Sequence, residues 1–552
     1  MKKFKPLAVL AVFVAFAIYV LATQMNLNPL YPEAAFAYCV LISALVLIFT
    51  LDKMGRLVLV NQGGQMDVSF VRHAKAAKWP VMILLSIWGL YFAVLIGSSV
   101  LFQVNAFRDQ MPELTEMNFA EDFDTVNTNQ LPIVDKAMAS KLADKKLGER
   151  PSLGSQVVLG EPTLQQVNGQ LLWAVPTYHS GVFKWLTNMQ GTPGYITVSA
   201  TNPQDVQYVD GYKIKYQPGA YLWQNLGFWA RFTAAPFNGI TDPSFELDDT
   251  GRPYWVITTY KYLRGFSLPE ATGAVILDCA TGESEVYTIE NLPDWVDRVQ
   301  PEDFIMTQLN NKGEFVHGYL NFSDKDKFKT SEGEAIIYNN GNCYLFTGLT
   351  SVGGDQSALG FVMVDMVTKE PHMYRISGAT ETAAQRSAEG EVQQFGYKAA
   401  FPLIINLNSQ PTYFMTLKDA EGLIKQYAYV SVQDYQTVGV GETIPEARLK
   451  YEKALRTSTG GQSVGNTNAD LETITGTVAR VGSEYSSAGT VYYLVLNEYN
   501  HLLFSIQGSL SDELALTKEG DKVQLGYYPK EGQTQEAGTF DNLEFTQQSP
   551  AA

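Results

Sequence analysis

The chain has 552 residues, with 40 Lys or Arg against 57 Asp or Glu, a net charge of −17, and 12% aromatic residues. An acidic balance of this size repels nucleic acid and anionic headgroups through its long-range field, which argues against a nucleic-acid partner. Three cysteines are too few for a disulfide-built domain, so stability must come from ordinary hydrophobic cores.

Apolar runs at residues 6–22, 34–51 and 79–101 are each about long enough to cross a ~30 Å hydrocarbon core as a helix. Lys2, Lys3 and Lys5 precede the first run, and Lys53, Arg56, Arg72, Lys75 and Lys78 lie between the second and third. The first connection, residues 26–33, has no basic residue. Positive charge stays in the cytoplasm, so the pattern predicts a multi-pass cell-membrane protein whose large C-terminal part is extracytoplasmic. The charge divides accordingly, with 8 basic and 3 acidic residues in the first 102 against 32 and 54 in the remainder. The first run also fits a cleaved signal peptide, but the connection through Pro29 and Pro32 reads as the turn of a retained helical hairpin. In the second connection, Val68, Val71 and Ala74 spaced against Arg72, Lys75 and Lys78 predict an interfacial helix over 66–78, with His73 at headgroup level.

The anchor, residues 1–102, is followed by an acidic, irregular stretch expected to be a stalk, 103–131. From 132 onward an internal repeat appears: a polar turn, an apolar strand, an insertion, a Gly-led strand, then a second turn and strand. Its turns include Asn168-Gly169, Thr250-Gly251 and Asn340-Gly341, and its Gly-led strands start at Gly194, Gly273 and Gly360. Asn-Gly and Thr-Gly between alternating apolar runs are hairpin signals, because these residues accept positive φ. The expected units are 132–240, 241–330, 331–388 and a degenerate fourth, 389–456. Helices are expected over 133–147 and 445–455. A Ser/Thr/Gly linker, 457–470, leads to a last domain, 471–547, with five strands and a short helix between the third and fourth.

A helix, a strand ending in Trp-Ala-Val or Trp-Val-Ile (Trp173 to Val175, Trp255 to Ile257), then Val275 to Asp278 followed by Thr281-Gly282-Glu283, resembles the PepSY domain. The resemblance is best over residues 245–297. It implies tandem small α+β modules that bind or restrain a peptide or protease in a bacterial envelope, and it carries no catalytic residues over. The last domain looks like an OB-fold barrel. The expected fold class is therefore α+β: three N-terminal transmembrane helices, PepSY-like α+β repeats and a five-stranded OB-like β-barrel.

Site chemistry is sparse. Asp249-Thr250-Gly251 matches the aspartic-protease triplet in letters, but Glu246 and Asp248 before it and Arg252-Pro253 after it read as an exposed turn. The five histidines are scattered, with no His-Glu-x-x-His or Cys-x-x-Cys pair, so no metal site is expected. No Gly-x-Ser-x-Gly elbow, Walker loop or dinucleotide fingerprint occurs, so neither a catalytic residue nor a cofactor is expected. Cys279 and Cys343 are expected as free, buried thiols. Two features stand out as binding candidates: the aromatic set Trp173, Trp185, Tyr195, Trp223 and Trp229, which could line a groove, and the loop residues Gly353, Gly354 and Asp355. The function expected is non-enzymatic, a membrane-anchored binding or scaffold protein engaging an envelope peptide, protease or wall-assembly partner. An envelope hydrolase or maturation enzyme with a site assembled across repeats is the alternative.

Overall fold

A computed structural model describes residues 5–62, 65–72, 74–123, 131–339, 341–352, 358–376, 378–407, 410–458, 472–486, 489–528 and 534–545. Helices α1 (Lys5–Thr23), α2 (Pro32–Met54) and α3 (Ala74–Gly97) contain three spans long and apolar enough to cross a membrane. Between α2 and α3, strands β1 (Gly55–Gln62) and β2 (Gln65–Arg72) pair antiparallel, Gly55 opposite Arg72. This corrects the expected interfacial helix of 66–78 over 66–72, while 74–78 are helical as the start of α3. Gln65, Asp67 and Ser69 alternate with Met66, Val68 and Phe70, and that period of two outweighs the weaker helical spacing. His73 lies outside the described residues.

Of the stretch expected as a stalk, residues 103–123 are built into the fold, and 124–130 lie outside the described residues. The described part forms α4 (Val100–Arg108), β3 (Thr115–Glu116) and α5 (Phe119–Asp122). Phe119 and Phe123 stack at 4.9 Å inside a core shared with later strands.

Helices α6 (Lys136–Gly148), capped by the Asp135 carboxylate on the Met138 amide, and α7 (Pro151–Gly154) lead into the first of four antiparallel sheets. That sheet holds β4 (Val157–Leu159), β5 (Thr163–Val167), β6 (Gln170–His179), β7 (Thr192–Ser199) and β8 (Val206–Ile214), with α8 (Val182–Thr187) between β6 and β7. After α9 (Leu226–Trp229) come β9 (Gly239–Leu247), β10 (Pro253–Arg264), β11 (Ser267–Asp278) and β12 (Ser284–Thr288). After α10 (Glu302–Glu314) come β13 (Phe328–Thr330), β14 (Ala335–Asn339), β15 (Asn342–Ser351), β16 (Ala358–Asp365) and β17 (Pro371–Tyr374), which β3 joins in parallel. After α11 (Glu381–Glu391) come β18 (Lys398–Ala399), β19 (Leu403–Leu407), β20 (Gln410–Lys418), β21 (Ile424–Ser431) and β22 (Val438–Gly441), closed by α12 (Ile444–Ser458).

In each of the four sheets the later strands follow one another in chain order, with β3 added beyond β17 in the third. The repeated glycine has a steric cause. A Cβ on Gly194, Gly273 or Gly360 would lie 1.9, 1.8 or 2.1 Å from the carbonyl oxygen of Val209, Tyr287 or Tyr374 on the next strand. Each of the three also has positive φ, so only glycine fits.

Both faces of each sheet are used, as the alternation of apolar residues requires. Ala174 and Tyr195 of the first sheet meet Phe245, Trp255 and Val275 of the second. The residues between them, Val175 and Ile196, meet Phe414 and Tyr429 of the fourth. The fourth sheet turns Tyr413 and Met415 toward Phe346 and Phe361 of the third. The other face of the third sheet packs on Ile305 and Leu309 of α10. Residues 292–301 close the cycle: the Val299 and Gln300 amides donate to the Met366 carbonyl, while Val299 packs under the second sheet. Cys279 and Cys343 are buried, free thiols in these cores.

Beyond 458, β23 (Glu472–Ser486), β24 (Gly489–Leu496), β25 (Leu503–Gln507), β26 (Lys522–Tyr528) and β27 (Thr534–Asn542) form a closed barrel in the order β23-β24-β25-β27-β26. Phe504, Ile506, Val523 and Leu525 fill it. Residues 459–470 of the expected linker, and 471 after it, lie outside the described residues.

Candidate functional site

The inner edges of three sheets converge on Asp297. Its Oδ2 accepts from the Gln166 amide of β5 at 2.8 Å and from the Tyr338 hydroxyl of β14 at 2.7 Å. Gln165 ties β5 to β9: its Nε2 donates to the Leu247 carbonyl at 3.2 Å and its Oε1 accepts from the Leu247 amide at 3.0 Å. Along β9, Phe245 and Leu247 enter the core, so the alternate residues Ser244 and Glu246 point to the axis. They are buried there, 4% and 1% exposed.

Glu246 was expected in an exposed turn, and the structure corrects this. Its Oε1 lies 2.5 Å from Ser244 Oγ, which also reaches the Val256 carbonyl at 3.2 Å. Ser244 Oγ donates to Glu246 Oε1, a bond that favours the carboxylate. Loss of water around the carboxyl outweighs this and pushes Glu246 up to about 7, against the opposing pulls of Ser244 and Arg298. Burial likewise raises Asp297. Burial opposes the Arg298 charge, but Glu246, Asp242 and Glu302 hold its guanidinium above the ordinary value. Arg298 Nη1 donates to Glu302 Oε1 at 3.3 Å, and its Nε has no partner. Burial raises the carboxyls of Asp242 and Glu302 as well, against the pull of Arg298. The arrangement can hold a proton near neutral pH beside a fixed cation. Among the described residues no three His, Cys, Asp or Glu side chains are placed to hold a metal ion.

A second feature lies on the rim. β8 ends the first sheet, and no strand pairs with its outer side among the described residues. Beside it is a depression of about 320 Å³ lined by Gly211, Tyr212, Lys213, Arg252, Pro253, Asp278 and Ala280. Arg252 Nε donates to Asp278 Oδ2 at 2.6 Å across its floor, and Asp278 Oδ1 accepts from the Ala280 and Thr281 amides.

The aromatic candidates do not share one groove. Trp173 donates to the Val134 carbonyl and packs toward the fourth sheet. Tyr195 is in the opposite core, 2% exposed, donating to the Gly251 carbonyl. Trp229 meets Tyr216 at 4.8 Å with the rings tilted by 42° and donates to the Gly282 carbonyl. Trp185 is buried and donates to Gln224 Oε1, while Trp223, 6.5 Å away, is half exposed. Only Trp185 and Trp223 come together. Gly353, Gly354 and Asp355 lie outside the described residues. Reading the sequence passed over the Ser244–Glu246–Asp297–Arg298 cluster; its one local signal is the polar alternation along β9.

No family model matches the chain, and no curated protein matches it. Among solved structures, an exo-1,5-α-L-arabinanase from a bovine ruminal metagenomic library is 13% identical over 50% of this chain and 74% of its own, with a TM-score of 0.15. Cellvibrio cellulosa α-L-arabinanase is 11% identical over 57% of this chain and 81% of its own, with a TM-score of 0.16. A B. megaterium levansucrase mutant is 9% identical over 76% of this chain and 97% of its own, with a TM-score of 0.21. At these scores nothing about fold or chemistry is carried over.

Proposed function

We propose that the protein is a membrane-anchored, extracytoplasmic binding or scaffold protein that takes an extended polypeptide segment on the outer edge of β8. The open edge carries this reading. An unpaired strand of nine residues offers a row of backbone donors and acceptors, and the adjacent depression gives one side chain of the incoming segment a place to rest. The position of the sheets supports the location. They contact the α1–α2 connection, whereas the basic residues flank the opposite helix ends, so the positive-inside rule puts the sheets outside. The helix-plus-meander units support the PepSY-like reading, and the strand order of the barrel supports the OB-like one. The test is photo-crosslinking from Gln207 and Lys213 in the full-length protein in its native membrane, with the captured segment sequenced by mass spectrometry. One defined extended segment, captured from both β8 positions and not from Tyr485 on the barrel, is the expected result. Equal capture from Tyr485, or none from β8, refutes it.

The hydrolase alternative draws support from one observation, the proton-holding Glu246 set between Ser244 and Arg298 across sheets. Hydrolysis of envelope peptides or glycans that disappears in Glu246→Gln while the fold persists would establish it.

A further inference from the structure

The four-sheet body sits lower than the ends of the helices. Phe232, Tyr260 and Tyr262 share a core with Val20 and Phe16 of α1. Phe16 lies seven residues before the end of α1, about 10 Å down its axis at ~1.5 Å per residue. On the far side, Phe266 of the β10–β11 turn meets Tyr91 at 5.4 Å, six residues before the end of α3. The α1–α2 connection is clamped between these contacts. Gln24 Nε2 donates to Asn225 Oδ1 at 2.9 Å, Arg231 Nε donates to the Gln24 carbonyl at 3.1 Å, and Asn28 Nδ2 donates to the Phe237 carbonyl at 3.1 Å.

The segment that makes these contacts also carries bare apolar side chains. Leu222 is 60% exposed, Trp223 50% and Phe237 59%. Phe183, on α8 beside Trp185, is 78% exposed, and Trp185 ties α8 to Tyr221 and Trp223 by ring contacts at 5.6 and 6.5 Å. Leu222 holds a φ of +52°, a conformation that a leucine adopts only at a cost, and here it keeps the side chain in the open. Trp223 is two residues from Asn225, which hydrogen-bonds Gln24 just past the end of α1. Lys184, adjacent to Phe183, suits the same boundary by reaching to headgroups while its stem stays in apolar surroundings.

We propose that α8 and the Tyr221–Trp223 turn form a lipid-facing knuckle, seated at the acyl–headgroup boundary of the leaflet where α1 and α3 end. The body would thus be docked on the bilayer and not held above it. This rests on reading α1 to α3 as membrane spans.

The test uses full-length protein with Cys39→Ala, reconstituted in phosphatidylcholine–phosphatidylglycerol vesicles, the buried Cys279 and Cys343 being shielded from label. Spin labels are placed singly at Phe183→Cys, Trp223→Cys, Leu90→Cys in α3 and Tyr485→Cys on the barrel. Collision with dissolved oxygen and with an aqueous nickel chelate is then measured. Nickel access at 183 and 223 roughly threefold or more below that at 485, with high oxygen access, is the expected result for residues within ~5–10 Å of the headgroup boundary. Nickel access equal to that at 485 overturns the proposal, and so does shielding from both probes, which would mark a protein contact. If the label at 90 is itself open to nickel, the span reading fails. If 90 is in lipid while 183 and 223 are in water, only the knuckle fails.

Discussion

Glu246→Gln should make the protein more stable above neutral pH and leave it unchanged in acid. The side chain is 1% exposed, and burial raises its pKa from 4.5 to about 7. Between those values the folded state keeps a proton that the unfolded chain has released. The stability it contributes is therefore complete below about pH 4.5 and is lost as pH rises toward 7. A displacement of that size corresponds to about 3 kcal/mol. The net figure already contains the attraction of Arg298, which opposes the burial term. An amide has the shape of the neutral acid: its oxygen can accept from the Asp297 amide and its NH2 can donate to Ser244 Oγ. Thermal unfolding of full-length protein in detergent, followed from pH 4.5 to 8.5, reads the difference. The melting temperatures should coincide near pH 4.5 and separate above pH 7, with the variant higher by roughly 4 °C for about 3 kcal/mol. Parallel curves over the whole range would refute the reasoning, because a carboxylate charged in both states adds no such slope.

Three further outcomes follow from packing. Gly273→Ala places a Cβ 1.8 Å from the Tyr287 carbonyl oxygen and should cost more than about 3 kcal/mol, whereas Gly169→Ala, with positive φ but open space, should cost about 1 kcal/mol; comparative thermal melts distinguish them. Tyr31→Phe removes a hydroxyl that donates to the Tyr260 carbonyl at 2.5 Å and accepts from the Gly239 amide at 2.7 Å. It should loosen the clamp by about 2 kcal/mol, seen as faster proteolysis in the 26–31 connection. Cys279 and Cys343 should resist a maleimide in the folded protein and both react after denaturation; a mass showing them already bridged contradicts their separate burial.

The three apolar spans, the repeat and most barrel strands were legible in the sequence because each depends on residues a few positions apart. Run length sets whether a helix can cross a membrane, alternation sets a strand, and Gly194, Gly273 and Gly360 recur because a neighbouring backbone allows no side chain. The same local reading failed at 66–72, where two periods compete. It also failed at 103–123, where two phenylalanines enter a core with residues more than 200 positions away. Alternation showed that every sheet has two faces, but not what covers them. Tertiary packing decided that the sheets close in a cycle, so that Glu246, polar and next to a turn, is shut in beside Arg298. It likewise decided that the Gln24–Tyr31 connection is held under the second sheet. Steric limits and solvent preference act along the backbone within a few residues; a buried charge or a clamp exists only once distant segments exclude water together.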